Sequence, residues 1–128
     1  MNLTLLAAVA AGGAMGSVAR FAVTSLLGRW LGAGFPWGTL AVNLAGSVAM
    51  GLLAGMAAHR WSLGLEARAL LFTGVLGGFT TFSTFSLDIV TLIERGTWGA
   101  AVAYGTASVV LGVSGLVLGL MMVRWTLA

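Results

Sequence analysis

The spacing of the charged residues constrains this 128-residue chain more than any other feature of its sequence. Uncharged runs at 1–19, 30–59, 69–87 and 96–123 lie between the six basic and three acidic residues. A helix needs about 20 mostly apolar residues to cross a bilayer, so each run is long enough for one crossing. Only 7 % of the residues are charged, whereas a soluble domain carries about 25 %. The sequence therefore predicts an all-α membrane protein with four transmembrane helices per subunit.

The four predicted helices leave only short connections, so we expect a single transmembrane domain over 1–128. No basic residue precedes Arg20, which favours a spanning first helix over a cleaved signal peptide. The chain has no cysteine and one histidine, so a disulfide is excluded and a transition-metal site is not expected. The scattered arginines form no nucleic-acid patch. The expected helix ranges are 3–27, 37–58, 68–92 and 98–124.

The basic residues are balanced between the two sides of the predicted bundle. With an even number of helices, both termini and the 59–67 loop share one side. An excess of basic residues near helix ends normally marks the cytoplasmic side. Without such an excess, we expect copies to insert both ways up and to pair as an antiparallel, dual-topology homodimer; the alternative is one orientation set by other cues. One side holds Arg60, Arg68 and Arg124, and the other holds Arg29, Arg95 and, if it reaches the 28–36 loop, Arg20.

Small residues recur along the predicted helices at GxxxG spacing. Such pairs let helix backbones approach closely in lipid. Each pair alone is a weak signal because glycine is common in membrane helices, but together they predict a compact bundle that dimerises. The pairs are Gly12 and Gly16, Gly51 and Gly55, Gly74 and Gly78, and Gly115 and Gly119.

Polar side chains inside the spans need partners or a function, because an unpaired polar group in lipid costs several kcal/mol or so. The second helix carries Thr39, Asn43 and Ser47 at intervals of four, which places them on one face. The Asn43 amide either holds helices together or lines a pore, and for Ser47 the pattern favours the first role. The fourth helix carries Tyr104 and Ser108, also four apart, a pair that is more typical of packing.

The third predicted helix is rich in glycine and then in hydroxyl groups. Gly74, Gly77 and Gly78 weaken the middle of the span, by about 1 kcal/mol each relative to alanine. Hydroxyls just beyond can hydrogen-bond a loosened backbone, so we predict a break near 77–81. Freed carbonyls at a break can hold a small hard cation, while the helix start that follows attracts negative charge. The hydroxyls belong to Thr80, Thr81, Ser83 and Thr84.

Three phenylalanines accompany this stretch at intervals of three: Phe79, Phe82 and Phe85. Such a stripe is often core packing. An aromatic ring, however, has a positive edge, and ring edges beside hydroxyls and an amide favour a small anion without any fixed positive charge. Conduction needs weak, multiple sites, which a lysine or an arginine would not provide. Alone, these residues indicate a dimeric conduit for a small ion.

Two stretches together resemble the Fluc-type fluoride channels of the CrcB family. They are GxxGGxTTFSTFS, from Gly74 to Ser86, and PWGTLAVNLAGS at 36–47. The resemblance covers nearly the whole chain and includes its length, the four helices, an arginine late in the first helix and an asparagine in the second. The combination is far more specific than any GxxxG pair.

The resemblance implies a channel that exports fluoride passively across the inner (plasma) membrane of a microbial cell, as a multi-pass protein. In the family, two subunits form an antiparallel dimer with two pores and a structural sodium ion at the dimer centre. The backbone carbonyls of Gly77 and Thr80 of both subunits would hold the sodium ion, and Arg20 would make the vestibule electropositive. The candidate pore residues are Asn43, Phe82, Phe85, Ser83, Thr84, Tyr104, Ser108 and Thr39.

One part of the resemblance does not extend to this chain. Some family members continue the polar track of the fourth helix with hydroxyls one and two turns beyond the serine. Here Gly112 and Leu116 stand at those positions, so the outer part of the track is not predicted.

Two other functions remain as alternatives at this stage. A small dual-topology, proton-coupled exporter also has four helices, but coupled antiport needs an ionisable carboxylate deep in a helix. Asp88 lies toward the end of the third helix, and we expect it to pair with an arginine or to cap the end of the pathway. The second alternative is a non-transporting subunit whose polar residues only hold helices together. The sequence shows no catalytic cluster, so an enzyme is not expected.

Overall fold

Long helices make up nearly all of the protein. The computed structural model describes residues 1–59 and 62–127. The helix at 65–79, called α3 below, begins with an α-helical turn (Leu65–Arg68), continues as a π-helical stretch (Ala69–Leu76) and ends in a short turn (Gly77–Phe79). In the described part of the chain, the helices in order are α1 (Leu3–Leu31), α2 (Trp37–His59), α3 (65–79), α4 (Phe82–Glu94) and α5 (Trp98–Leu127).

Four segments are long and apolar enough to cross a membrane in the described residues, and α3 and α4 together form the third of them. The all-α fold with four spanning segments and an interrupted third helix is therefore confirmed. The first and third spans run a few residues past their predicted ends, and each is followed by a glycine with positive φ. Gly32 (φ 80°) closes α1 by donating its N–H to the Gly28 carbonyl at 3.0 Å, and Gly96 (φ 78°) follows α4.

Exposed tryptophans lie near both ends of the bundle. Trp30, Trp37 and Trp98 stand where α1 ends and where α2 and α5 begin, and Trp125 lies at the opposite end of α5. Tryptophan prefers the boundary between lipid and water. These positions fit helices whose apolar middles face lipid.

Helices α1 and α3 run parallel and almost touch along their glycines. A Cβ added at Gly12 would lie 2.9 Å from the Cα of Gly74, and one at Gly16 would lie 2.8 Å from the backbone nitrogen of Phe79. Only glycine permits such a close approach of two backbones. This seam fixes the first half of the broken span against α1.

Helices α2 and α5 form a second parallel seam. A Cβ at Gly51 would collide with the backbone of Leu116, and one at Gly55 would lie 2.9 Å from the Cβ of Val123. The predicted close packing is confirmed, but all four glycine pairs lie between helices of the same subunit. They therefore give no support to a dimer, which stays a prediction.

A small buried cluster holds the second half of the span in place. Leu92 of α4 packs with Leu40 of α2 and with Ala101 and Tyr104 of α5. Phe85 packs against the same cluster. Because α4 is anchored here while α3 is anchored on α1, the two halves of the third span are held by different parts of the bundle.

Candidate ion pathway beside the broken helix

The third span is interrupted at two residues, Thr80 and Thr81. Both have extended backbones, with φ/ψ of −88°/158° and −152°/122°. The Thr80 hydroxyl donates to the Leu76 carbonyl at 2.9 Å. The Thr81 hydroxyl accepts the N–H of Thr84 at 3.2 Å and so caps the start of α4. The predicted break, and the use of these hydroxyls to bond its backbone, are both confirmed.

Asn43, on the neighbouring helix α2, hydrogen-bonds the backbone at the break. Its side-chain oxygen accepts the N–H of Thr81 at 2.8 Å, and its side-chain nitrogen donates to the carbonyl of the same residue at 3.1 Å. The amide thus replaces both backbone partners that Thr81 loses by leaving the helix. Its second N–H makes no hydrogen bond with any described residue and remains able to donate. Fastening a backbone and donating to an ion are compatible because an amide has two donor hydrogens.

Arg20 also reaches the break. Its Nε donates to the Gly78 carbonyl at 3.0 Å, and the side chain is half-buried. Residue 20 lies about 16 Å along α1 from the last helical residue, Leu31, so Arg20 does not contribute to the charge near the 28–36 loop. The role in a vestibule stays a prediction. Arg60, which the charge count placed on the opposite side, lies outside the described residues.

Several backbone oxygens at the break have no partner. Among the described residues, the carbonyls of Gly77, Phe79 and Thr80 accept no hydrogen bond. Gly77 is exposed on the surface of the subunit. Among the described residues, the predicted pair of carbonyls, those of Gly77 and Thr80, therefore has no hydrogen-bond partner.

A groove of about 380 Å³ runs beside the break, between α2 and α5. Phe82 is 79 % exposed within the subunit, its ring centroid lies 5.6 Å from that of Phe85, and Phe85 in turn packs at 5.2 Å on Tyr104. None of the described lining residues is a lysine or an arginine. The lining includes Asn43, Ser47, Gly77, Thr80, Thr81, Phe82, Phe85 and Ser108.

Not every predicted pore residue lies in this groove. Exposed Ser83 has its hydroxyl 3.4 Å from that of Thr81, and Thr84 contributes its backbone N–H to the cap. Neither lines the groove, and neither do Thr39, Tyr104 or Arg20. Their roles in conduction stay predictions.

A second cavity, of about 220 Å³, lies toward the end of the bundle near the loop between α1 and α2. Thr39, Asp88 and Arg95 are among its lining residues. The fully buried Tyr104 donates its hydroxyl to the Asp88 carboxylate at 2.9 Å, and Arg95 instead donates to the Ala33 carbonyl. In the described part of the chain, the first alternative for Asp88, an arginine partner, is thus wrong, because the neighbouring tyrosine supplies the hydrogen bond. The second alternative, a cap at the end of the pathway, stays a prediction.

Sequence reasoning missed one residue that shapes the site. A Cβ at Gly46 would collide with the Thr80 side chain, so the break lies directly against α2 only because residue 46 has no side chain. The signal was the position of Gly46 between Asn43 and Ser47, but nothing local showed which helix it would meet.

Sequence similarity identifies the family of this chain. The family model described as CrcB-like protein, Camphor Resistance (CrcB) matches residues 7–120, which is most of the chain. The chain belongs to the CrcB family. It is similar to proteins named fluoride-specific ion channel FluC from Rhodospirillum centenum, at 54 % identity over 98 % of this chain and 100 % of the relative, and from Nitrobacter winogradskyi, at 55 % identity over 97 % and 98 %.

More distant CrcB relatives carry the same name. The fluoride-specific ion channel FluC of Agrobacterium fabrum is 50 % identical over 93 % of this chain and 95 % of its own length. These relatives are ion channels by name, and the family is therefore not an enzyme family. The exporter alternative gains nothing from the site, because Asp88 lies in the second cavity and does not line the groove.

Proposed function

We propose that this chain forms a fluoride-selective channel through which fluoride leaves the cell passively across the inner membrane. One observation carries the proposal: a groove at membrane depth in which aromatic rings, an amide and a hydroxyl meet beside a broken helix. The names of relatives at 54 % and 55 % identity support the choice of ion.

The groove offers several weak donors to a dehydrated anion. Asn43 has a spare N–H, and Ser108 has a hydroxyl without a partner among the described residues. The rings of Phe82 and Phe85 add positive edges. The N–H groups of Phe82 and Ser83 start α4 and carry the positive end of its dipole. Fluoride is the smallest halide and a strong acceptor, so it gains most from short hydrogen bonds, while the lack of a lysine or arginine among the described lining residues lets it leave.

Fluoride efflux from liposomes tests this function. We expect liposomes that contain the pure protein and are loaded with potassium fluoride to release fluoride rapidly, recorded by a fluoride electrode once valinomycin carries the counter-ion. Potassium chloride liposomes of the same preparation should release chloride at least a hundredfold more slowly, because chloride is larger and a poorer acceptor. Equal rates for the two ions, or no fluoride release, would contradict the proposal.

A second copy of the chain would complete the pathway. The groove is open on one side, and Phe82 and the polar atoms around the break would otherwise face lipid, where unpaired polar groups are costly. We place the partner subunit over this face, in an antiparallel dimer with two pores. Dual topology is supported by the order of the arginines in the sequence: Arg29 and Arg95 flank the spans on one side, and Arg60, Arg68 and Arg124 flank them on the other, so the orientation bias is small.

The same face would hold the structural sodium ion. Hard cations bind oxygen, and unwound backbone carbonyls are typical sodium ligands in membrane proteins. The free carbonyls of Gly77 and Thr80 fit this chemistry, and the described residues contain no cluster of acidic, histidine or cysteine side chains that would compete. One subunit supplies too few oxygens, but two subunits would together supply four. Bound sodium would give these carbonyl oxygens a partner and would link the broken helix of one subunit to that of the other.

Gly77→Val tests this shared site. Within the subunit a Cβ at Gly77 would meet only the Phe72 carbonyl oxygen, at an unstrained 3.7 Å, so the subunit should still fold. We expect the variant to lose dimer on size-exclusion chromatography and to lose at least tenfold in fluoride efflux, because the valine side chain points out of the subunit toward the partner. Gly99→Val is the matched control, since a Cβ at Gly99 has nothing within 4 Å. Normal dimer and efflux for Gly77→Val would show that the cation site is misplaced.

A further inference from the structure

Two serines that line the groove, Ser47 of α2 and Ser108 of α5, make no hydrogen bond with any described residue. The Ser108 hydroxyl of α5 is buried and unpartnered among the described residues. Ser47 of α2 lines the same groove, is half-buried, and makes no hydrogen bond within the described part of the chain. Several other hydroxyls bond the carbonyl one turn back, as Ser86 does to Phe82 at 3.0 Å. Ser47 leaves that bond unmade, so its hydroxyl is free to donate into the groove.

The parallel seam of α2 and α5 places Ser47 opposite Gly112. Gly51 meets Leu116 and Gly55 meets Val123 in the same register. A Cβ on Gly112 would lie 3.6 Å from the Ser47 hydroxyl oxygen. The hydroxyl of Ser47 therefore lies in van der Waals contact with the position that a Cβ at residue 112 would take.

The parallel packing of α2 and α5 also places their polar groups at two levels along the groove. Asn43 and Ser108 line the first level, and Ser47 and Gly112 lie one turn further along both helices. One turn of helix is about 5.4 Å, a short step for an ion that moves between donors. Beyond Ser47 the groove is lined by Met50 and Leu116, which are apolar.

We propose that Ser47 supplies the second hydroxyl step of the fluoride pathway, from α2, in the place that a side chain of α5 at position 112 would take. This inference rests on the proposed fluoride conduction. A hydroxyl donates to the ion while its oxygen stays able to accept from a neighbour, so Ser108 and Ser47 can pass one ion between them without holding it tightly.

The proposal is tested by removing the hydroxyl of residue 47 on α2 and introducing one at residue 112 on α5. We expect Ser47→Ala to slow fluoride efflux from liposomes at least fivefold. The double variant Ser47→Ala with Gly112→Ser should recover to within about twofold of the unmodified rate, because it returns a hydroxyl to the same space from α5. Ser47→Thr, which keeps the hydroxyl on α2, should also stay within about threefold. Ser114→Ala is the matched control, since Ser114 is exposed on another face of α5.

The outcomes separate this inference from the proposed function. If the unmodified protein releases no fluoride, conduction itself is wrong. If it conducts and Ser47→Ala conducts equally well, only the role of Ser47 is overturned. A slow Ser47→Ala that neither Ser47→Thr nor Gly112→Ser restores, with dimer elution unchanged, would show that residue 47 acts through packing and would overturn the proposal as well.

Discussion

Replacing Asn43 with leucine is expected to reduce fluoride efflux at least a hundredfold and to lower the unfolding temperature. Leucine branches at Cγ as asparagine does, although it is larger, but it cannot replace either hydrogen bond to the backbone of Thr81, at 2.8 and 3.1 Å. An N–H and a carbonyl left unpaired at membrane depth cost several kcal/mol or so, and a hundredfold loss corresponds to about 2.7 kcal/mol. The anion would lose its amide donor at the same time. Liposome efflux and thermal unfolding in detergent measure the two effects.

Asn2→Leu provides a control with the same substitution, because Asn2 is the other asparagine of the chain. Its side chain caps α1 by accepting the N–H of Thr4 at 2.8 Å, at an exposed helix end. Losing a cap costs about 1 kcal/mol, so a small drop in stability with normal efflux is expected. An Asn43→Leu protein as stable and as conductive as the unmodified one would show that Asn43 neither stabilises the backbone at the break nor donates a hydrogen bond to the ion.

The position of the break in the third span is only partly encoded in the local sequence. The glycines and hydroxyls predicted an interruption near 77–81, yet Gly77 itself stays helical, with φ/ψ of −62°/−37°, and the chain leaves the helix only at Thr80. The exact place is set by Asn43, which lies 38 residues earlier and supplies the replacement hydrogen bonds. A contact between distant segments has no local signature, so the sequence predicts that a break forms but not which peptide groups it frees.

The glycine pairs show the same limit. Their spacing correctly predicted close helix packing, but the partner of each pair depends on topology. Gly12 meets Gly74, and Gly51 meets Leu116, both within one subunit. The face that we propose for a second copy is the groove with Phe82, which the phenylalanine stripe indicated and the glycine pairs did not.

The charged side chains were the hardest to place from sequence. Arg20 was counted with the 28–36 loop only if it reached that far, and Asp88 was expected to pair with an arginine or to cap the end of the pathway. Within the described residues both bond uncharged partners inside the bundle: Arg20 donates to the carbonyl of Gly78, and Asp88 accepts from the hydroxyl of Tyr104. At membrane depth any strong donor or acceptor is a competitive partner, so opposite charge alone is a weak guide to pairing.

Phe82→Leu is expected to reduce fluoride efflux at least tenfold without weakening the fold. Leucine keeps an apolar side chain at position 82 but has no aromatic edge to offer an anion. Because Phe82 is 79 % exposed in the subunit, its ring contributes little to the packing of the subunit itself. A tenfold loss corresponds to about 1.4 kcal/mol, the order expected of one aromatic contact. Phe21→Leu is the matched control, since Phe21 is 73 % exposed on α1 and lies outside the groove lining.

The most direct measurement is therefore the initial rate of fluoride release from liposomes that contain equal amounts of unmodified, Phe82→Leu and Phe21→Leu protein. We expect the Phe82→Leu rate to fall at least tenfold while Phe21→Leu keeps the unmodified rate and all three proteins elute alike. Fluoride release by Phe82→Leu at the unmodified rate would contradict the claim that fluoride crosses the membrane along the groove beside the broken helix.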